Sequence, residues 1–225
     1  MSISAADVRP DITEAHRLAL TSWAAPGSWW TSEERLAMVV EARRCRLTDE
    51  LPAWVAPSSV DGLVDDEGPL APIAVDVVWR LTRHPGTLTA EWHRAVIDSG
   101  LGPLAYLELV AVTAMAAAVD IFAVAVGFDP PPLPHPRPGR PSGDLPAGAE
   151  VTTHWVPTTD GNGPNVLRAT SAVPHEQPIL RALAEAHYVP ADALTGDLTW
   201  SRETLDRRQI ELIAARTSVR NDCFY

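Results

Sequence analysis

The chain has 225 residues, 46% of them hydrophobic, with 18 basic residues against 29 acidic ones and a formal net charge of -11. A chain of this length holds one large or two small domains and can bury most of the apolar surface it exposes when unfolded. The acidic balance argues against a nucleic-acid partner or an anionic membrane surface, both of which need clustered Lys and Arg, and every basic residue here is an arginine. Arg43, Arg44 and Arg46 form the nearest thing to a cluster and are expected on a solvated helix face. Two cysteines, Cys45 and Cys223, cannot make a disulfide framework, and Met1 to Pro10 has no signal-peptide pattern, so the expected compartment is the cytoplasm.

In chain order, Thr13 to Ala25 reads as a short amphipathic helix stopped by Pro26-Gly27. Thr31 stands three residues before Glu34, the spacing of a capping box, and the helix it opens should run to about Arg46. Leu51 to Pro69, broken by Pro and Gly and rich in Asp and Glu, reads as an acidic surface loop. Helices resume at about Ile73 to Arg83 and Thr89 to Ser99. A long apolar segment from about Pro103 to Gly127 follows, with proline at a permitted first-turn position. Its stretch Leu109 to Phe128 has the length of a membrane span but carries Asp120 and many alanines, so it is read as a buried core helix and no membrane partner is expected.

The composition changes abruptly after residue 128. Ten prolines between Asp129 and Pro164 forbid helix, and this stretch is read as a linker or a surface-hugging arm. Val151 to Val156 could be extended, but no partner strand is evident and no sheet is predicted. Helical pattern returns at Asn165 to Ala172, at Pro178 to Tyr188 and from about Arg202 onward. The expected organisation is an all-α protein with an N-terminal half over 1–128, a Pro-rich linker over 129–164 and a C-terminal half over 165–225.

The two halves share a short echo. Tyr106-Leu107-Glu108-Leu109-Val110-Ala111 resembles Gln209-Ile210-Glu211-Leu212-Ile213-Ala214, and ungapped extension sets Asp120 opposite Cys223 and Phe122 opposite Tyr225. The candidate chemistry lies in the second copy. Glu211 falls near mid-helix, and Cys223 follows Asn221 and Asp222, both good N-cap residues. A cysteine in a first helical turn meets unpaired N–H groups and the positive end of the helix dipole, which favour thiolate. A nearby carboxylate can take the proton, directly or through a histidine or water.

With Gln209, Glu211-Leu212, Ala215-Arg216, Ser218 and Asn221-Asp222-Cys223-Phe224-Tyr225, the segment Leu205 to Tyr225 resembles the core of the carboxymuconolactone decarboxylase and alkylhydroperoxidase D-like family. The resemblance implies an all-α duplicated helical bundle of oligomerising subunits that reduces hydroperoxides without a prosthetic group, regenerated by an external dithiol. It assigns Glu211 to a proton relay, Cys223 to resolving the intermediate and Tyr225 to shaping the site. It also puts the peroxide-attacking residue at position 226, with a histidine beyond. The expectation is a coding sequence that continues through a UGA codon decoded as selenocysteine, a selenol being the more acidic and more nucleophilic group. A deliberate boundary, a frameshift or a nonsense mutation are the alternatives, and the 225-residue chain is expected to be inactive in the cycle. Two rival functions keep the helical fold: a non-catalytic subunit of an oligomer, and a decarboxylase-like lactone enzyme with a pocket around Glu108.

Plainer roles are expected elsewhere. Cys45 reads as a half-buried structural thiol that could still be a distant resolving partner. The seven histidines show no zinc spacing, and no metal is expected; His175-Glu176 begins a metal motif without completing it. Gly161-Asn162-Gly163 is a turn signal. The tryptophans read as core anchors, although Trp29, Trp30 and Trp92 could line a pocket. Glu108 and Asp120, on an otherwise apolar helix, should be satisfied by an arginine such as Arg80 or Arg94.

Overall fold

In the computed structural model, residues 4, 7–152, 154–159, 165–194 and 199–220 are described. Helix α1 (Pro10–Trp23) opens with proline at its first position, where the missing N–H costs nothing, and buries Ile12, Ala15, Ala19 and Trp23 along one face. Helix α2 (Ser32–Leu47) starts as its sequence predicts. The Thr31 hydroxyl accepts from the Glu34 N–H at 3.3 Å, and the Glu34 carboxylate accepts the Thr31 N–H at 2.8 Å. Residues 48–71 make turns and a single 3-10 turn (Pro57–Ser59), largely exposed, as the acidic loop predicts.

Helix α3 (Pro72–Arg83) buries Ala74, Val75, Val77, Val78 and Trp79, and α4 (Ala90–Asp98) is capped by the Thr89 hydroxyl, which accepts from Trp92 N–H at 3.1 Å. Helix α5 (Pro103–Ala125) is apolar nearly all round, the pattern of a helix enclosed by protein. By length and composition it could cross a membrane; in this fold most of its apolar window is buried. It packs on α1, α2 and α3, and Leu109, Val112, Met115, Ala116 and Val119 are central to the core.

The Pro-rich segment leaves α5 and hugs the surface. Its few N–H groups do the attaching: Arg137 donates to the Ala24 carbonyl at 2.7 Å, Ser142 to Gly27 at 3.1 Å and Gly143 to Ser28 at 2.8 Å. Glu150 and Thr158 form an isolated antiparallel bridge. Beyond it come α6 (Asn165–Arg168), shorter than the predicted 165–172, then α7 (Gln177–His187) and α8 (Ala191–Leu194). Helix α7 lies on α1 and α5, and its Leu183 and Ala186 enter the same core as α1, α2, α3 and α5.

A two-residue hairpin, β1 (Ser201–Arg202) paired antiparallel with β2 (Leu205–Asp206), precedes α9 (Arg207–Arg220). No sheet is predicted there, and the predicted helix start at about Arg202 moves to Arg207. Asp206 sets that start: its carboxylate accepts from Gln209 N–H at 2.9 Å while the Gln209 side chain accepts from Asp206 N–H at 3.0 Å. Apart from β1 and β2, every regular element among the described residues is helical, so the all-α class holds.

Candidate functional site

Of the three residues that carry the predicted redox motif, Glu211 is described; Cys223 and Tyr225 lie outside the described residues, as do Asn221, Asp222 and the Gly161-Asn162-Gly163 turn. Glu211 is held from two sides. The Tyr188 hydroxyl donates to its Oε2 at 2.6 Å, and Arg207 Nε donates to its Oε1 at 2.5 Å from one turn earlier on α9. Arg207 is 5% exposed and is itself fixed by the Ala193 carbonyl at 2.7 Å. The Tyr188 hydrogen bond, then Arg207, hold the Glu211 carboxyl below its usual range against the opposing effect of burial. Glu211 is therefore an oriented carboxylate, a weak base suited to steadying a protonated partner. Ile210 is the one apolar side chain of α9 that is buried, whereas Leu212, Ile213 and Val219 are 60%, 55% and 75% exposed.

The first copy of the echo lies in very different surroundings. Asp120, opposite Cys223, is 2% exposed and accepts a fork from Arg43 at 2.9 and 2.8 Å and a third bond from Arg46 at 3.1 Å. Arg43 and Arg46 are thus half-buried counter-ions for α5 and do not form the solvated face expected of them. Three positions apart on α2, they share a face, while Arg44 turns to Glu41 and Trp79. Phe122, opposite Tyr225, meets His16 and His187 edge-on, with ring centroids 5.2 Å away in each case. The two histidine nitrogens Nε2 approach to 2.8 Å, and burial, then His187, push His16 down to about 4. His16, Leu20, Phe122 and Phe128 face an open apolar cavity of about 360 Å³.

Glu108, opposite Glu211 in the echo, is fully buried on an arginine, though not on Arg80 or Arg94. Arg35, 1% exposed, reaches from α2 and donates through Nη1 to Glu108 Oε1 and to Glu176 Oε1, both at 2.5 Å. Glu108 also accepts the Trp29 N–H at 2.8 Å, and Arg35 Nη2 donates to Ser22 at 2.9 Å. Burial, then the charge of Glu176, push Glu108 up to about 6 against the pull of Arg35. Glu108 is enclosed by these groups, with none of its side chain exposed. Sequence reasoning named Glu176 only in the incomplete His175-Glu176 motif and missed it as a partner of Arg35; in the structure it is the α7 N-cap, and its side chain makes no capping hydrogen bond.

The remaining candidates resolve into structure. Cys45 is fully buried, not half-buried; burial pushes its thiol up to about 11, and its sulfur lies 3.7 Å from the Trp79 carbonyl. Trp30 joins the core and donates to the Ala105 carbonyl at 2.8 Å. Trp92 instead lines a slot of about 170 Å³ with Trp54 and Trp79, stacked on Arg80 at 5.1 Å. Among the described residues no group of three or more His, Cys, Asp or Glu is placed to hold a metal ion.

No family model, curated protein or solved structure matches the chain. The functional reading rests on the residues and on the geometry just described.

Proposed function

We propose that this protein is a thiol or selenol hydroperoxide reductase of the alkylhydroperoxidase D-like type, built as a duplicated helical bundle with a Pro-rich connecting arm. The observation that carries the reading is the anchored carboxylate of Glu211, twelve residues before Cys223 in the sequence. A carboxylate in this role must stay ionised and keep its direction, and Tyr188 and Arg207 support both requirements.

The cycle uses position 226 as its attacking atom. A selenolate or thiolate there attacks the distal oxygen of ROOH; the O–O bond breaks, ROH leaves with a proton from the relay, and a selenenic or sulfenic acid remains. The Cys223 thiolate then attacks that acid and closes a bond with position 226, the hydroxyl leaving as water with a second proton from the relay. An external dithiol reduces this bond, returning both groups and leaving as its own disulfide. Glu211 steadies the protonated relay partner and Tyr225 shapes the site. The proposed setting is a cytoplasmic homo-oligomer that needs no cofactor, metal, nucleic acid or membrane.

The test is to read the coding sequence past the Tyr225 codon and to assay the chain it encodes for dithiol-dependent hydroperoxide consumption. A UGA or cysteine codon at 226 together with turnover supports the reading; any other residue there, with no turnover, overturns it. One observation favours the second reading, a non-catalytic subunit of an oligomer: the exposed Leu212, Ile213 and Val219 of α9. That reading expects association without peroxide consumption.

A further inference from the structure

We propose that the Glu108, Arg35 and Glu176 cluster is a one-proton binding site, and that proton binding clamps the start of α7, whose far end positions Glu211. The charge balance makes the case. One guanidinium faces two carboxylates, all three side chains are at most 1% exposed, and the ionised cluster carries one surplus negative charge in the buried interior. Such a charge is costly unless paired or neutralised, and a proton neutralises it.

The hydrogen bonds point the same way. The two N–H bonds of Arg35 Nη1 are divided between Glu108 Oε1 and Glu176 Oε1, and Glu108 Oε2 takes the Trp29 N–H. Glu176 Oε2 and Arg35 Nε, both buried, have no hydrogen-bond partner among the described residues. Among the described residues the charged groups facing the cluster are its own three: Arg35 from α2, Glu108 from α5 and Glu176 from α7. Helix α1 contributes the neutral Ser22 hydroxyl, and the turn before α2 contributes the Trp29 N–H. His175, beside Glu176, pairs with the exposed Asp144 at 3.7 Å. Both carboxylates share one guanidinium nitrogen, so the proton belongs to the cluster as a whole.

Glu176 is the N-cap of α7 and Tyr188 is its C-cap, so one three-turn helix joins the proton site to the residue that holds Glu211. Losing the proton sets the two carboxylates against each other and frees the first turn of α7. Calling Glu211 a relay carboxylate rests on the function proposed above; the proton site does not.

The test is a pH titration of the full chain with carboxyl-labelled glutamate, read by carbon NMR, alongside native-state amide exchange corrected for intrinsic rates. One buried carboxyl titrates near pH 6, and the α7 amides are about tenfold better protected near pH 5 than near pH 8. Glu176→Gln removes that titration and makes the α7 protection independent of pH. Should that variant misfold, the wild-type titration and Glu108→Gln carry the test. Both carboxyls titrating below about pH 5, or equal α7 protection at the two pH values, overturns the proposal. Neither readout involves peroxide, so failure here is distinguishable from failure of the proposed reaction.

Discussion

Replacing Gly27 with alanine sets two effects of known sign against each other. The φ of Gly27 lies outside the left-handed range, so alanine fits the backbone and should gain about 0.4–1 kcal/mol by restricting the unfolded chain. Its added Cβ, however, would stand 1.8 Å from Glu108 Oε1 and 2.1 Å from Arg35 Nη1. These are not free ends of flexible side chains: both residues are at most 1% exposed and are locked to each other, to Trp29, to Ser22 and to Glu176. Breaking a buried pair of this kind costs about 3–5 kcal/mol, and the clash wins by about 2–4 kcal/mol. For a chain of this size the melting temperature should fall by roughly 5–15 °C. Urea unfolding measures the loss directly, and the Gly27→Ala change in a Glu108→Ala background should cost at least about 1 kcal/mol less, because the clashing carboxylate is gone. A Gly27→Ala variant as stable as the wild type, or an additive double mutant, would refute the reasoning.

Three further outcomes follow from the same structure. Because Glu108 is raised from its usual value to about 6, its contribution to stability is fully present below the unfolded pKa and is lost as pH rises through about 6. Unfolding free energy from urea melts should fall by about 2 kcal/mol across that window, and a flat profile there contradicts the assignment. Asp120→Asn strands Arg43 and Arg46, whose partial exposure lets them reach water, so the cost is about 2–3 kcal/mol by urea melt; a neutral change would mean that Asp120 does not organise them. Native alkylation followed by peptide mass mapping should leave Cys45 unmodified until the chain is unfolded, since its thiol is buried and pushed up to about 11; labelling as fast as a free cysteine contradicts this.

Where a local rule sets the structure, the sequence was legible. The Thr31 and Glu34 box, the proline opening α5, and the all-round apolar α5 each declare themselves within one turn or one period, whereas Pro10 and Pro72 were passed over and α1 and α3 start before the expected Thr13 and Ile73. The arm's avoidance of helix follows from its prolines, but not its attachment, which depends on the carbonyls of Ala24, Gly27 and Ser28 far back in the chain. Long-range pairings were the part that stayed hidden. Arg35 meets Glu108 at a separation of 73 residues and Glu176 at 141, distances over which periodicity carries no information. The expectation that arginine would satisfy Glu108 and Asp120 was sound chemistry with the wrong partners named, although the i,i+3 spacing of Arg43 and Arg46 was a usable hint. For the proposed redox motif, Glu211 was singled out by its spacing to Cys223, while its holders Tyr188 and Arg207 come from the α7 C-cap and the α9 start, where no motif marks them.

The most direct test of the central claim is the rate of dithiol-dependent hydroperoxide consumption by the full chain that the coding sequence specifies, measured beside its Glu211→Gln variant. The account predicts turnover, reduced by about 10²-fold or more in the variant with the fold intact by circular dichroism. Absence of turnover in the unaltered chain, or an undiminished rate with Glu211→Gln, contradicts it.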